Sequence, residues 1–331
     1  MVLAEGIASE PGAGLPAIAA SSTGTIVYRT GSAGGQRQFI WYDRAGKELS
    51  RIGAPETHGP SYGSISPDGR RLAMQRTVDG NTDIWLLDLE RGPSIRFTFD
   101  PLPDIAPAWS PGGDRIVYAS QRDGVFELFE KPLDGAPARL LLHAPQAKQV
   151  TDWSRDGRYL LYRAITLAPN YDMDIWGMAV DGDRAPFAVV RTPFEERDAQ
   201  FSPDGKWIAY QSNESGQHEV YVQPFRGPGE RVRISANGGV QARWRADGQE
   251  LFYLTLTGQL MAVPIAVRSE GGALRPGAAV PLFRARVGAV QGISLHNYIV
   301  APDGQRFLLD TVIEQPSTPI SLILNAKLRD Q

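Results

Sequence analysis

The chain has 331 residues, a formal net charge of −3 and no cysteine, which excludes disulfides, thiolate catalysis and cysteine-based zinc or iron–sulfur sites. A pI near 5.9 and the absence of any Lys/Arg run leave no basic footprint for nucleic acid. No stretch is long and apolar enough to span a membrane, and the start Met1-Val2-Leu3-Ala4-Glu5-Gly6 carries no targeting pattern, so delivery outside the cytoplasm is expected to depend on sequence upstream.

From the N-terminus, the first element is an apolar strand at 2–7. One pattern then recurs: an inner strand, a tight turn ending in glycine, and at once an apolar strand. The turns are Ser22-Thr23-Gly24, Ser66-Pro67-Asp68-Gly69, Ser110-Pro111-Gly112-Gly113, Ser154-Arg155-Asp156-Gly157, Ser202-Pro203-Asp204-Gly205, Arg245-Ala246-Asp247-Gly248 and Ala301-Pro302-Asp303-Gly304. Proline presets φ at the second position of a type I turn, Asp bonds the backbone two residues on, and Gly takes the left-handed conformation that starts the return strand. The turn glycines are 45, 44, 44, 48, 43 and 56 residues apart. A strand-bearing period of this length is the signature of a β-propeller.

The strand after each turn is apolar on both faces, as in Arg158-Tyr159-Leu160-Leu161-Tyr162. The third often opens on Asp-Ile-Trp (83–85 and 174–176), and the outer strand is polar, as in Ser94-Ile95-Arg96-Phe97-Thr98. Blades stacked between neighbours require strands buried on both faces. The expected fold is therefore all-β: one propeller domain over 1–331, with seven four-stranded antiparallel blades near 17–53, 60–98, 105–142, 149–191, 198–234, 241–284 and 297–324. The last unit shows only 306–311 and 320–324 after its turn, so the N-terminal strand 2–7 is expected to complete it and close the ring, hiding the open edges. Six blades, with one pattern outside the ring, is the alternative count.

These turns and Asp-Ile-Trp strands resemble the TolB-type, WD40-like PD40 propeller repeat. Longer stretches extend the resemblance: Arg191-Thr192-Pro193-Phe194-Glu195-Glu196-Arg197, Ser212-Asn213-Glu214-Ser215-Gly216, Glu219-Val220-Tyr221-Val222-Gln223-Pro224-Phe225 and Ile320-Ser321-Leu322-Ile323-Leu324-Asn325. Together they look like the C-terminal propeller of large bacterial membrane-anchored proteins, many of them Ser/Thr protein kinases with an extracytoplasmic sensor region. The resemblance implies a sensing or protein-binding propeller acting with, or derived from, such a protein, in a periplasmic or extracytoplasmic setting. Kinase chemistry would sit elsewhere, since no Gly-rich loop, His-Arg-Asp loop or Asp-Phe-Gly motif occurs.

Gly59-Pro60-Ser61-Tyr62-Gly63 formally matches the nucleophile-elbow pattern. An inner strand and a turn follow it where that elbow needs a helix, so Ser61 reads as accidental. His58, His143 and His296 each precede an inner strand, and certain propeller lyases acting on oligogalacturonate hold a metal on channel histidines. Here they lie 11, 14 and 8 residues before their turn glycines. Three different depths do not bring imidazoles to within about 2.1 Å of one ion, so neither a metal nor another cofactor is expected. Trp109, Trp153, Trp244 and Phe201 each stand four residues before the turn glycine and read as blade-to-blade packing.

Five residues before the glycines stand Ala19, Ser64, Ala108, Asp152, Gln200, Arg243 and Ile299. Alternation along a strand points these away from the tryptophans and into the channel. The plain reading is a water-filled lining. The functional reading is a polar site where Asp152, Gln200 and Arg243 converge, with Tyr62, Asp104, Arg197, Asp198 and Asn297 on its rim.

The expected function is a non-catalytic recognition module, monomeric, binding a protein or peptide, with envelope components among the candidates. No nucleic-acid partner and no membrane insertion by this chain are expected. The alternative is a lyase- or hydrolase-like propeller enzyme with a polar or metal-assisted channel site. The partner is expected on the face carrying the variable loops 166–173, 211–218 and 287–296, opposite the turns. Arg197 and Arg243 are expected to serve it without packing between blades.

Overall fold

The computed structural model describes residues 18–21, 25–29, 36–57, 63–122, 124–166, 172–267, 273–288, 290, 296–314 and 320–323; the Gly24 turn and the strand expected at 2–7 lie outside them. The other six turns form as their residues dictate. Gly69, Gly113, Gly157, Gly205, Gly248 and Gly304 have φ between +66 and +77°, a region glycine enters at little steric cost. Each donates its N–H to the carbonyl three residues back at 2.8–2.9 Å. In the Ser66 turn the serine Oγ donates to Asp68 at 2.6 Å and accepts the Arg71 N–H at 2.9 Å. Ser154 and Ser202 do the same in theirs.

Blades are named here by their turn glycine. The Gly69 blade runs Gly63–Ile65, Arg71–Val78, Asn81–Asp88, Ser94–Arg96. The Gly113 blade runs Asp104–Trp109, Arg115–Ser120, Glu127–Pro132, Arg139–Leu142. The Gly157 blade runs Ala147–Trp153, Tyr159–Thr166, Asp172–Ala179, Phe187–Val190. The Gly205 blade runs Glu196–Phe201, Trp207–Ser212, Glu219–Pro224, Val232–Arg233. In the Gly248 blade, Val240–Trp244 and Glu250–Leu254 precede the long strand Gln259–Val267, which pairs with both Leu274–Pro276 and Val280–Arg284. All pairings are antiparallel, and seven sheets are described in all.

The two chain ends pair differently from the expected blades 17–53 and 297–324 plus 2–7. The Gly304 blade joins Tyr298–Val300 and Arg306–Glu314 to Gln36–Asp43 and Glu48–Thr57. Arg306–Glu314 offers a ladder as long as Gln36–Asp43, whereas Ile26–Arg29 has only four residues to pair. A buried ion pair sets the register, with Arg37 Nε 3.0 Å from Asp310 Oδ2 and both side chains almost fully enclosed. Ile26–Arg29 instead lies between Ile18–Ala20 and Ile320–Ile323 in a separate three-stranded sheet.

One apolar cluster fills each junction between consecutive blades. Trp109 packs with Ile84 and Leu86 where the Gly69 and Gly113 blades meet. Trp153, Phe201 and Trp244 mark the next three junctions, and Phe252 and Phe307 the fifth. The sixth sets Phe39, Ile52 and Leu308 of the Gly304 blade against Leu72, Met74 and Leu87 of the Gly69 blade, completing the circuit. Among the described residues six blades meet one another in this circuit, and the three-stranded sheet contributes no residue to these six clusters.

Four inner strands shift register at one repeated place, and three of them do so through a left-handed residue. Ala106, Asp198 and Gln241, each seven residues before its turn glycine, have φ of +53, +51 and +58°, and the pairing register shifts there. Non-glycine residues persist in this region only where surroundings hold them. Here the preceding blade does so twice: Gln75 Oε1 accepts the Ala106 N–H at 3.2 Å, and Gln211 Oε1 accepts the Gln241 N–H at 2.9 Å.

Candidate functional site

The inner strands surround one cavity of about 250 Å³. Ser64, Ala108, Asp152, Gln200, Arg243 and Ile299, one from each blade, all line it. Ala19, in the sheet outside the ring, is exposed and takes no part.

Two lining groups also clasp the neighbouring blade. Asp152 Oδ2 accepts the Phe201 N–H at 2.8 Å, and Ser64 Oγ accepts the Trp109 N–H at 3.4 Å. Burial pushes the Asp152 carboxyl up to about 6, against the pull of the Phe201 and Trp153 N–H groups and the Arg243 charge. Arg243 is buried; Nη1 donates to Ala242 O at 2.7 Å, and its guanidinium lies 6.0 Å from the centroid of the Tyr298 ring.

His296 also lines the cavity, with Nε2 3.8 Å from Asp198 Oδ1 and Nδ1 3.4 Å from Gly63 O. Burial and then the Arg243 charge lower the imidazole to about 4, outweighing Asp198. Burial alone would raise the Asp198 carboxyl, but the His296 hydrogen bond and the charges of His296, Arg163 and Arg243 bring it below the ordinary range.

The expected rim is not where the sequence put it. Asp104 is fully buried near the Ser120 and Thr98 hydroxyls, with its carboxyl raised by burial. Arg197 is buried and paired with Glu195; Asp198 and Asn297 are buried too, the Asn297 N–H donating to Gln241 Oε1 at 2.8 Å. Tyr62 lies outside the described residues. For Asp104, Arg197 and Asp198 the cause is the bulge: one residue in the left-handed conformation breaks the two-residue alternation, so orientation at the fifth position before glycine does not extrapolate to the seventh and beyond. Arg243 is likewise a packed residue, contrary to expectation. The cavity also lies toward the turns rather than the long loops, since Arg155, Ser202 and Pro203 line it.

Residues 56–183 match the family model of the TolB beta propeller domain, PD40. Over those residues the chain carries the TolB-type PD40 repeat. Its PD40 propeller is 25% identical to "Uncharacterized protein Atu1656" of Agrobacterium fabrum over 203 residues, 57% of this chain and 68% of that protein. It is 38% identical over 111 residues to tricorn protease homolog 1 of Streptomyces coelicolor, 33% of this chain and 10% of that protein. It is 25% identical over 208 residues to the peptidase YuxL of Bacillus subtilis, 49% of this chain and 31% of that one. The matches thus cover well under half of either peptidase.

Among solved structures, a TolB of Agrobacterium tumefaciens superposes with a TM-score of 0.61 at 18% identity, over 83% of this chain and 97% of that one. TolB of Acinetobacter baumannii gives 0.50 at 16%, over 92% and 79%. An oligogalacturonate lyase in complex with manganese gives 0.54 at 14%, over 93% and 81%. At these identities the likeness is one of fold.

Of the PD40 propeller's histidines, His143 is exposed and pairs with Glu127, His218 is set beside Arg197, and His58 lies outside the described residues. Among the described residues no group of three or more His, Asp or Glu is placed to hold a metal ion. Thr151 and Arg155 were not anticipated in the lining. Arg155 carried a signal, since it stands where four of the other turns have proline.

Proposed function

We propose that this PD40 propeller is a non-catalytic recognition module that takes a protein or peptide segment at its channel cavity. In this reading it works outside the cytoplasm with, or as a descendant of, a larger membrane-anchored bacterial protein. The observation that carries the reading is the commitment of three lining oxygen groups, those of Ser64, Asp152 and Ser202. Ser64 and Asp152 each accept a neighbouring blade's N–H, and Ser202 Oγ donates to Asp204 in its own turn. Groups held this way offer fixed points of recognition and no activated nucleophile. The TolB-type resemblance adds support, such propellers being typically periplasmic protein-interaction modules.

A second reading, a channel-site enzyme, is favoured by Asp152, whose carboxyl at about 6 near Arg243 lies where a general acid or base works. Photo-crosslinking tests the first. A photoreactive residue is placed at Ser64 or Gln200, and for comparison at Ile95 on an exposed outer strand, and the chain is irradiated in envelope extract. Protein adducts are expected from the two cavity positions and not from Ile95. Adducts confined to Ile95, or none at all, would overturn the reading.

A further inference from the structure

The cavity wall has more donors than the chain satisfies. Arg243 Nη2 and Thr151 Oγ1, on two residues of the wall, are buried with no hydrogen-bond partner within the chain. The first is an obligate donor and the second can donate. Unmet donors in a buried wall are costly, and acceptor oxygens are what they lack.

Charge points the same way. The wall carries two arginines, Arg155 and Arg243, and one carboxyl, Asp152, one more cation than anion. Arg155 is exposed at the turn side, where its Nη1 donates to Ala246 O at 3.0 Å, bridging from the Gly157 turn to the Gly248 turn. A single surplus positive charge suits a monoanion. A carboxylate presents two acceptor oxygens to a guanidinium edge, whereas the second charge of a phosphate would face Asp152. A volume of about 250 Å³ equals the share of about eight waters at ~30 Å³ each, room for one terminal residue or one small acid.

Resting on the recognition reading above, we propose that the channel cavity binds a carboxylate, either the terminal carboxylate of a peptide or a small free carboxylic acid. Arg243 anchors it and Arg155 stands at the entrance.

Titration calorimetry of the whole chain tests this with three probes: acetyl-Ala-Ala-Ala as the free acid, the same peptide as its C-terminal amide, and propionate. At least one carboxylate is expected to bind about tenfold or more tighter than the amide, which lacks the charge-assisted pair. Peptide acid with propionate inert assigns a chain end; propionate with the peptide inert assigns a small acid. Arg243→Gln should abolish the preference. Because Arg243 is buried, Gln200→Trp serves as a second variant, filling the cavity from a partly exposed position; it should lose carboxylate binding while keeping the parent's melting temperature. Wild-type protein with no preference for either carboxylate over the amide overturns the proposal. Crosslinks at Ser64 and Gln200 without that preference would sink this inference and leave the recognition reading standing.

Discussion

Replacing Asp152 with Asn isolates what ionising a carboxyl inside the ring does to stability. The Asp152 carboxyl titrates near 6 in the fold, against an ordinary 3.8, with burial as the main cause. About two pH units at about 1.4 kcal/mol each give an upper bound of about 3 kcal/mol. Below pH 3.8 the group is protonated in both folded and unfolded chains and contributes no slope. Between about 4 and 6 the native state holds a proton that the unfolded chain has released, so the stability this group confers falls as pH rises. Above about 6 the loss is complete. Asn keeps an oxygen able to accept the Phe201 N–H that Asp152 takes at 2.8 Å, so the clasp between blades survives the change. The opposite slope from His296, which must stay neutral in the fold, is common to both proteins and cancels in the difference. Urea unfolding at pH 4, 5, 6 and 7 is the assay. Asp152→Asn should gain on the parent from pH 4 to about 6 and level off above it, by up to about 3 kcal/mol. A difference independent of pH would refute the reasoning. A difference running the other way would show that Arg243 stabilises the ionised carboxylate by more than burial opposes it.

Arg37→Ala should cost roughly 3–5 kcal/mol in chemical unfolding, because it breaks the buried ion pair with Asp310; a loss under about 1 kcal/mol would mean that the two chain ends close the ring without it. Gln211→Ala removes the acceptor for the bulged Gln241 N–H and should cost about 1–2 kcal/mol. Hydrogen exchange at the Gln241 amide should accelerate with it, and unchanged exchange there would show that the left-handed bulge holds by itself.

The turns, the packing tryptophans and the channel-facing position were legible because each is a local signal. A glycine needing positive φ, or an aromatic four residues before it, repeats regardless of what lies across the sheet. The pairing of the chain ends was not legible by that route. Gln36–Asp43 and Arg306–Glu314 meet through a contact spanning 273 residues, decided by ladder length and one buried ion pair rather than by turn spacing. The rim failed for a different reason. Nothing in the residue types at Ala106, Asp198 or Gln241 announces a left-handed backbone, yet that conformation turns Asp198 toward His296 and away from solvent. Arg155 was the readable exception, an arginine in a proline's place.

Completing the Gly304 blade with strands from both ends imposes a timetable on synthesis. Gln36–Asp43 emerges about 270 residues ahead of its partner, a wait of roughly 14–54 s at about 5–20 residues per second. Meanwhile the Gly69 to Gly248 blades can stack in order as each is made, forming four of the six junctions. The early hairpin carries Phe39 and Ile40, both buried in the finished ring, and it has no sheet to join until Arg306–Glu314 arrives. A nascent chain stalled before that point is an arc of five blades with two bare apolar flanks and an unpaired hairpin, the species most in need of a chaperone.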